Sequence, residues 1–137
     1  MEKTKVVGQT KDAGFQIGVR KTFPASVDRT WNFLFSDTGL AIWLGEIDHD
    51  NLEPDKAYKT KDGTDFKPSI LKPYSHIRLT WRKNGWDNTS IVQMRIISSK
   101  EKAIISFHQE KLANSQQRAE MKAHWDKIIA RIGSYLN

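Results

Sequence analysis

The chain has 137 residues, with 22 basic against 16 acidic side chains and a formal net charge of +6. That length fits one domain, which buries roughly two thirds of the surface its unfolded form exposes. Cysteine is absent, which excludes disulfides, thiolate nucleophiles and thiolate-bound zinc. The opening is polar and lysine-rich and no apolar run reaches membrane-spanning length, so the default expectation is a cytoplasmic protein.

Residues 1–12 are expected to form a loosely held tail before one domain over residues 13–137, with Val6 and Val7 available to extend the first strand. Phe15, Ile17, Val19 and Phe23 alternate with Gln16, Gly18, Arg20 and Thr22, the period of a strand with one buried face. Pro24 and Ala25 break it, and Ser26 is suited to cap a helix that carries Asp28 in its first turn, where a negative charge opposes the helix dipole. Val27, Trp31, Leu34 and Phe35 form the apolar side of that helix. Residues 37–39 read as an interruption, and residues 40–44 as a second short helical segment ending before Gly45.

Residues 46–55 hold five carboxylates together with the turn formers Asn51 and Pro54, the composition of an exposed loop. A meander follows, with strands expected over residues 57–61, 64–71, 76–83, 89–97 and 103–109. Turn signals at Asp62-Gly63, Pro73-Tyr74, Asn84-Gly85 and residues 98–102 separate them. Asn84-Gly85 is the strongest, because both residue types tolerate the positive φ of a tight hairpin turn. Ile77, Leu79 and Trp81 oppose His76, Arg78, Thr80 and Arg82, while Val92, Met94 and Ile96 oppose Gln93 and Arg95. Strands with one apolar side belong to an antiparallel sheet with one wet and one covered face.

Asn114 or Ser115 caps the final helix, where Met121, Trp125, Ile128, Ile132 and Tyr135 recur at steps of four, three, four and three. This stripe predicts a long C-terminal helix lying across one face of the curved sheet. The expected fold is therefore α+β, a sheet of about six strands with two short helices and a long helix packed across its concave face.

That order is similar to the helix-grip fold, also called START-like or SRPBCC. Within it the chain resembles the heat-shock protein 90 ATPase activator homologue family, over residues 15–136. The carriers are Thr22-Phe23-Pro24-Ala25, Val27 to Trp31, Ala41-Ile42-Trp43-Leu44-Gly45, Ile77-Arg78-Leu79-Thr80-Trp81, Phe107-His108-Gln109-Glu110, and His124-Trp125 followed by Ile128 to Leu136. The resemblance implies a cavity between the sheet and the last helix, used across the superfamily for apolar molecules. It also implies kinship with co-chaperones that stimulate a chaperone's ATPase together with a separate N-terminal domain, for which this chain is too short. Some superfamily cousins are cyclases or aromatases.

On the fold so read, a small apolar or amphipathic molecule is expected between Trp81, Met94, Phe107, Trp125, Ile128 and Ile132, with Trp81 and Trp125 facing each other. Tyr74, Arg95 and His108 are the polar candidates for orienting it. Strict alternation turns Ile105 and Phe107 inward and His108 outward, and a bulge would reverse that for His108. Trp86, just after the Asn-Gly turn, is expected to be exposed, as a pocket rim or a partner contact. With the acidic loop it supports a second reading, a protein-interaction module with a partner such as a chaperone.

The four histidines show no spacing that would set two imidazoles on one face, so neither a metal nor another cofactor is implied. Asp48-His49-Asp50 lacks the glycine an EF-hand loop needs at its sixth position, where Glu53 stands. Asn88-Thr89-Ser90 fits the glycosylation pattern without an export signal. The cations look scattered, with no basic stripe interleaved with aromatics, so nucleic-acid binding is not expected. The inward faces carry almost no titratable groups, which leaves a cyclase- or hydratase-type enzyme the least favoured reading.

Overall fold

The computed structural model describes residues 9–10, 14–47 and 51–137. The elements in chain order are β1 (Gln9–Thr10), β2 (Gly14–Phe23), α1 (Val27–Leu34), α2 (Asp37–Trp43), β3 (Tyr58–Lys59), β4 (Asp65–Lys72), β5 (His76–Arg82), β6 (Ser90–Ser99), β7 (Lys102–Leu112) and α3 (Ser115–Leu136). The strands form one sheet of order β1-β2-β7-β6-β5-β4-β3, with every neighbouring pair antiparallel. Strands β2 to β7 are the six expected. Strand β1 is an addition from the segment expected to be a tail, and its Gln9 and Thr10 pair with Phe15 and Gly14. Val6, Val7 and the Asp48-His49-Asp50 run lie outside the described residues.

The helix starts follow from side-chain caps. Ser26 is extended at φ −68° and its oxygen accepts the Arg29 N–H at 3.1 Å, which fixes the start of α1. Helix α2 begins earlier than the sequence suggested, because Ser36 repeats the device and accepts the Gly39 N–H at 3.1 Å. Gly39 is therefore inside the helix and not in an interruption. It is glycine for a steric reason, since a Cβ there would sit 1.9 Å from the Phe33 carbonyl oxygen. The two helices meet in a corner that no larger residue fits.

Asn84-Gly85 also departs from expectation. Only Gly85 has a positive φ, +92°, and the Trp86 N–H donates to the Lys83 carbonyl at 3.0 Å. The chain makes an ordinary turn with a glycine at its third position and does not pair again until Ser90. This connection folds Trp86 back onto Trp81, where it is 8% exposed and meets that ring edge-on at 5.4 Å. The expected exposed aromatic is thus a core residue.

Helix α3 covers the inner face of the sheet. Asn114 caps it by accepting the Gln117 N–H at 2.8 Å, and Met121, Trp125, Ile128, Ile129, Ile132 and Leu136 are buried. At 3.6 residues per turn the stripe drifts, so Leu136 takes the last inward place. Tyr135 is 49% exposed and stacks on Phe33 of α1, with ring centroids 5.0 Å apart. All three helices lie on this inner side, and no described element covers the outer face of the sheet.

Candidate binding site

The inner face is built by alternation. Ile77, Leu79 and Trp81 of β5, Val92, Met94 and Ile96 of β6, and Ala103, Ile105 and Phe107 of β7 are all buried there. Phe107 stacks on Trp125 of α3 with centroids 4.6 Å apart and planes within 17°. The His124 ring packs against both indoles, with centroid distances of 6.0 Å to Trp81 and 4.9 Å to Trp125. Of the expected lining, Met94, Phe107, Trp125 and Ile132 are at most 1% exposed. Where Phe107 and Trp125 touch, the helix and sheet fill the space between them with their own side chains.

The rings continue toward the surface. Phe107 is 6.0 Å from Trp43 of α2, which meets Phe35 edge-on at 5.9 Å; Phe35 in turn stacks on Trp31 at 4.3 Å. Trp43 is held by its indole N–H, which donates to the Leu34 carbonyl at 2.8 Å. At the outer end of this series is a pocket of about 160 Å³, bounded by Trp31, Phe35 and Leu40 on the helical side and by Leu52, Leu71 and Pro73 on the other. Asn51 supplies its polar wall. Tyr74, at φ +64° in the β4–β5 turn, brings its ring 5.9 Å from Trp31 and donates its hydroxyl to Asn32 Oδ1 at 3.2 Å. None of the three polar candidates lines this pocket, and Tyr74 reaches it only through its contact with Trp31.

Arg95 and His108 point the other way. Arg95 pairs with Ser106 and His76, and His108 with Gln93 and Gly18, all outward positions in the ladder. The register shift lies between the Ile17–Gln109 and Phe15–Leu112 pairs, with the extra residue on β7 beyond Gln109, so His108 keeps its outward place opposite Gly18. Its Nε2 instead lies 3.1 Å from Gln16 Oε1.

The polar group that does enter the interior is Gln109, fully buried, which accepts the Trp125 indole N–H at 2.8 Å and donates to Ser90 Oγ at 2.9 Å. Ser90, also fully buried, donates onward to the Trp81 carbonyl at 2.7 Å. The relay joins α3, β7, β6 and β5, and uses one donor and one acceptor of the Gln109 amide. Its signal was present in the sequence, since the alternation that turns Ile105 and Phe107 inward also turns Gln109 inward. Leu52 was hidden for the opposite reason, as an apolar residue within a loop read as polar throughout.

His124 is a half-buried titratable group beside the inner face. Burial, and then the charge of Lys83, lower its pKa below the ordinary 6.5, against smaller opposing effects of Glu120 and Asp62. No described carboxylate or second imidazole faces it across the sheet at hydrogen-bond distance, and among the described residues no group of three or more potential metal ligands occurs.

A helix-grip sheet holding an aromatic interior is the class of protein that this fold defines. The chain belongs to the family described as activator of Hsp90 ATPase homolog 1-like protein, whose model matches residues 24–137. No curated protein matches it. Among solved structures it is similar to DynU16 of the dynemicin biosynthetic locus, at 18% identity and a TM-score of 0.78, over 88% of this chain and 46% of that one. It thus spans about half the length of DynU16. It is also similar to Aha1 of Colwellia psychrerythraea, solved as a dimer, at 17% identity and a TM-score of 0.73, over 88% of this chain and 95% of that one. A third likeness is to an HSP90 activator of Plasmodium falciparum, at 14% identity and a TM-score of 0.71, again over 88% and 95%. At these identities the likeness concerns the fold.

Proposed function

We propose that this domain is a non-enzymatic cytoplasmic module that binds a small hydrophobic or amphipathic molecule on the inner side of its sheet. The observation that carries the reading is the pocket of about 160 Å³ whose wall residues Trp31 and Phe35 begin the series of ring contacts leading to Phe107 and Trp125. A cavity of about 150 Å³ lined by apolar side chains is enough to hold a benzene ring. One ring burying about 150 Å² gains at most about 4 kcal/mol, which limits its dissociation constant to the millimolar range. Tighter binding requires the ligand to reach further, between Trp81, Met94, Phe107, Trp125, Ile128 and Ile132, with Phe107 and Trp125 moving apart. Asn51 in the pocket wall and Tyr74 beside Trp31 support orientation of a polar substituent at the mouth, and the remaining donor and acceptor of Gln109 support that of one that penetrates.

The test is native mass spectrometry of the purified protein for co-purifying small molecules, followed by calorimetric titration of any compound found. Leu71→Trp should fill the mouth and reduce the binding at least tenfold. Binding unchanged in that variant, or a protein that carries and takes up nothing, would reject the proposal.

Family membership favours a second reading, contact with a chaperone. Trp86 is buried and does not serve as the contact, which leaves the acidic segment around Glu46 and Glu53. The check is the chaperone's ATPase rate with and without the domain, and an unchanged rate with no complex would dismiss it.

A further inference from the structure

We propose that the outer face of the sheet, which no described element covers, is a docking surface for an acidic polypeptide segment that also carries aliphatic side chains. The cations that look scattered along the chain are gathered by strand register. Lys72 pairs with His76, His76 with Arg95, Arg95 with Ser106 and Ser106 with Arg20, so one row across β4, β5, β6, β7 and β2 carries Lys72, His76, Arg95 and Arg20. Sequence separations of up to 75 positions hide this row until the pairing is known. The two carboxylates on this face are already engaged, Glu110 by Arg78 at 2.8 Å and Asp65 by Arg82 at 3.5 Å and Lys59 at 3.1 Å. Among the described residues, Arg20, Lys72 and Arg95 have no ion-pair partner. Burial, and then the nearby charges of Arg95 and Lys72, hold the His76 imidazole below its ordinary pKa.

The neighbouring row narrows the choice of partner. Ile97 of β6 pairs with Ile104 of β7, both outward and half-buried, directly beside the cationic row. The phenylalanine, tyrosine and tryptophan side chains of the described strands belong to the inner face or pack against the core. Nucleic-acid surfaces of this kind rely on aromatic rings for base stacking, and here the apolar contribution is aliphatic. Carboxylates for the cations and aliphatic groups for the isoleucines are both supplied by a polypeptide. The row crosses four inter-strand gaps of about 4.8 Å, a span of about 19 Å that about six extended residues cover.

Fluorescence anisotropy tests this with the full chain and a labelled synthetic peptide of glutamates interspersed with leucines, at about 50 mM and about 300 mM salt. Binding should be saturable and weaken with salt. The double variant Arg95→Glu/Lys72→Glu should weaken it about tenfold or more, because each reversal removes an attraction and adds a repulsion. Lys127→Glu/Arg131→Glu, which changes the net charge equally on the exposed side of α3, should leave it within about twofold. Melting by circular dichroism confirms folding, and if the double reversal fails to fold, Arg95→Gln alone should cost about threefold. The proposal is overturned if the peptide does not bind, if the control pair loses as much as the double reversal, or if oligothymidylate or phosphatidylserine vesicles bind more tightly than the peptide.

Discussion

Replacing Gln109 with leucine probes the buried relay that ties the final helix to the sheet. The change keeps the side chain's approximate volume but removes the acceptor of the Trp125 indole N–H and the donor to Ser90 Oγ. Both abandoned groups are sealed from water, as Trp125 is 1% exposed and Ser90 fully buried. An orphaned buried donor costs about 1–3 kcal/mol. Ser90 keeps its bond to the Trp81 carbonyl and so adds only a fraction of that, while the apolar leucine returns roughly 1 kcal/mol. The net expectation is a loss of about 2 kcal/mol, or a fall in melting temperature of roughly 5–10 °C for a chain of this size. Urea denaturation of wild type, Gln109→Leu, Trp125→Phe and the double variant closes a cycle. Because phenylalanine has no N–H to orphan, Gln109→Leu should cost less than about 1 kcal/mol in the Trp125→Phe background. Equal costs in both backgrounds, or no cost in wild type, would show that the indole–amide bond contributes nothing.

Other perturbations have definite signs. Gly39→Ala drives a methyl into the Phe33 carbonyl and should destabilise by about 3 kcal/mol or more, whereas Ser36→Ala, which removes the cap of the same helix and the hydroxyl's bond to the Phe33 carbonyl, should cost about 1–2 kcal/mol; equal effects in chemical denaturation would contradict the steric argument. For His124 the folded pKa lies below the unfolded one. Its contribution is therefore complete above about pH 6.5 and is lost as pH falls through 6.5 toward the folded value, because the unfolded chain takes up the proton first. Denaturation midpoints should drop as pH falls below about 6.5, where His76 acts with the same sign, and His124→Gln should flatten that slope; an unchanged slope would remove His124 as a source.

How much of this was legible in the sequence depended on the range of the interaction involved. The inner strand faces and the α3 stripe follow from local periodicity, and Ser26 and Asn114 cap as their residue types suggest. The start of α2 was missed because Gly39 reads as a breaker until Phe33 is seen to leave no room for a Cβ. Trp86 was misplaced because the residues between the Asn-Gly turn and the next strand were read as an exposed connection, whereas the indole packs back on Trp81. The mouth of the pocket combines Leu52 and Leu71 with helix residues in a way no period encodes, and the outer cationic row exists only through strand register.

Side-chain NMR of the tryptophan indole N–H groups tests the central claim most directly, because the five rings sit at separate stations along the interior. Titration with a small aromatic compound such as indole should shift the Trp31 signal first, with Trp43 next and Trp86 unmoved. Shifts confined to Trp86, or no shift at millimolar ligand, would contradict a binding mouth at Trp31.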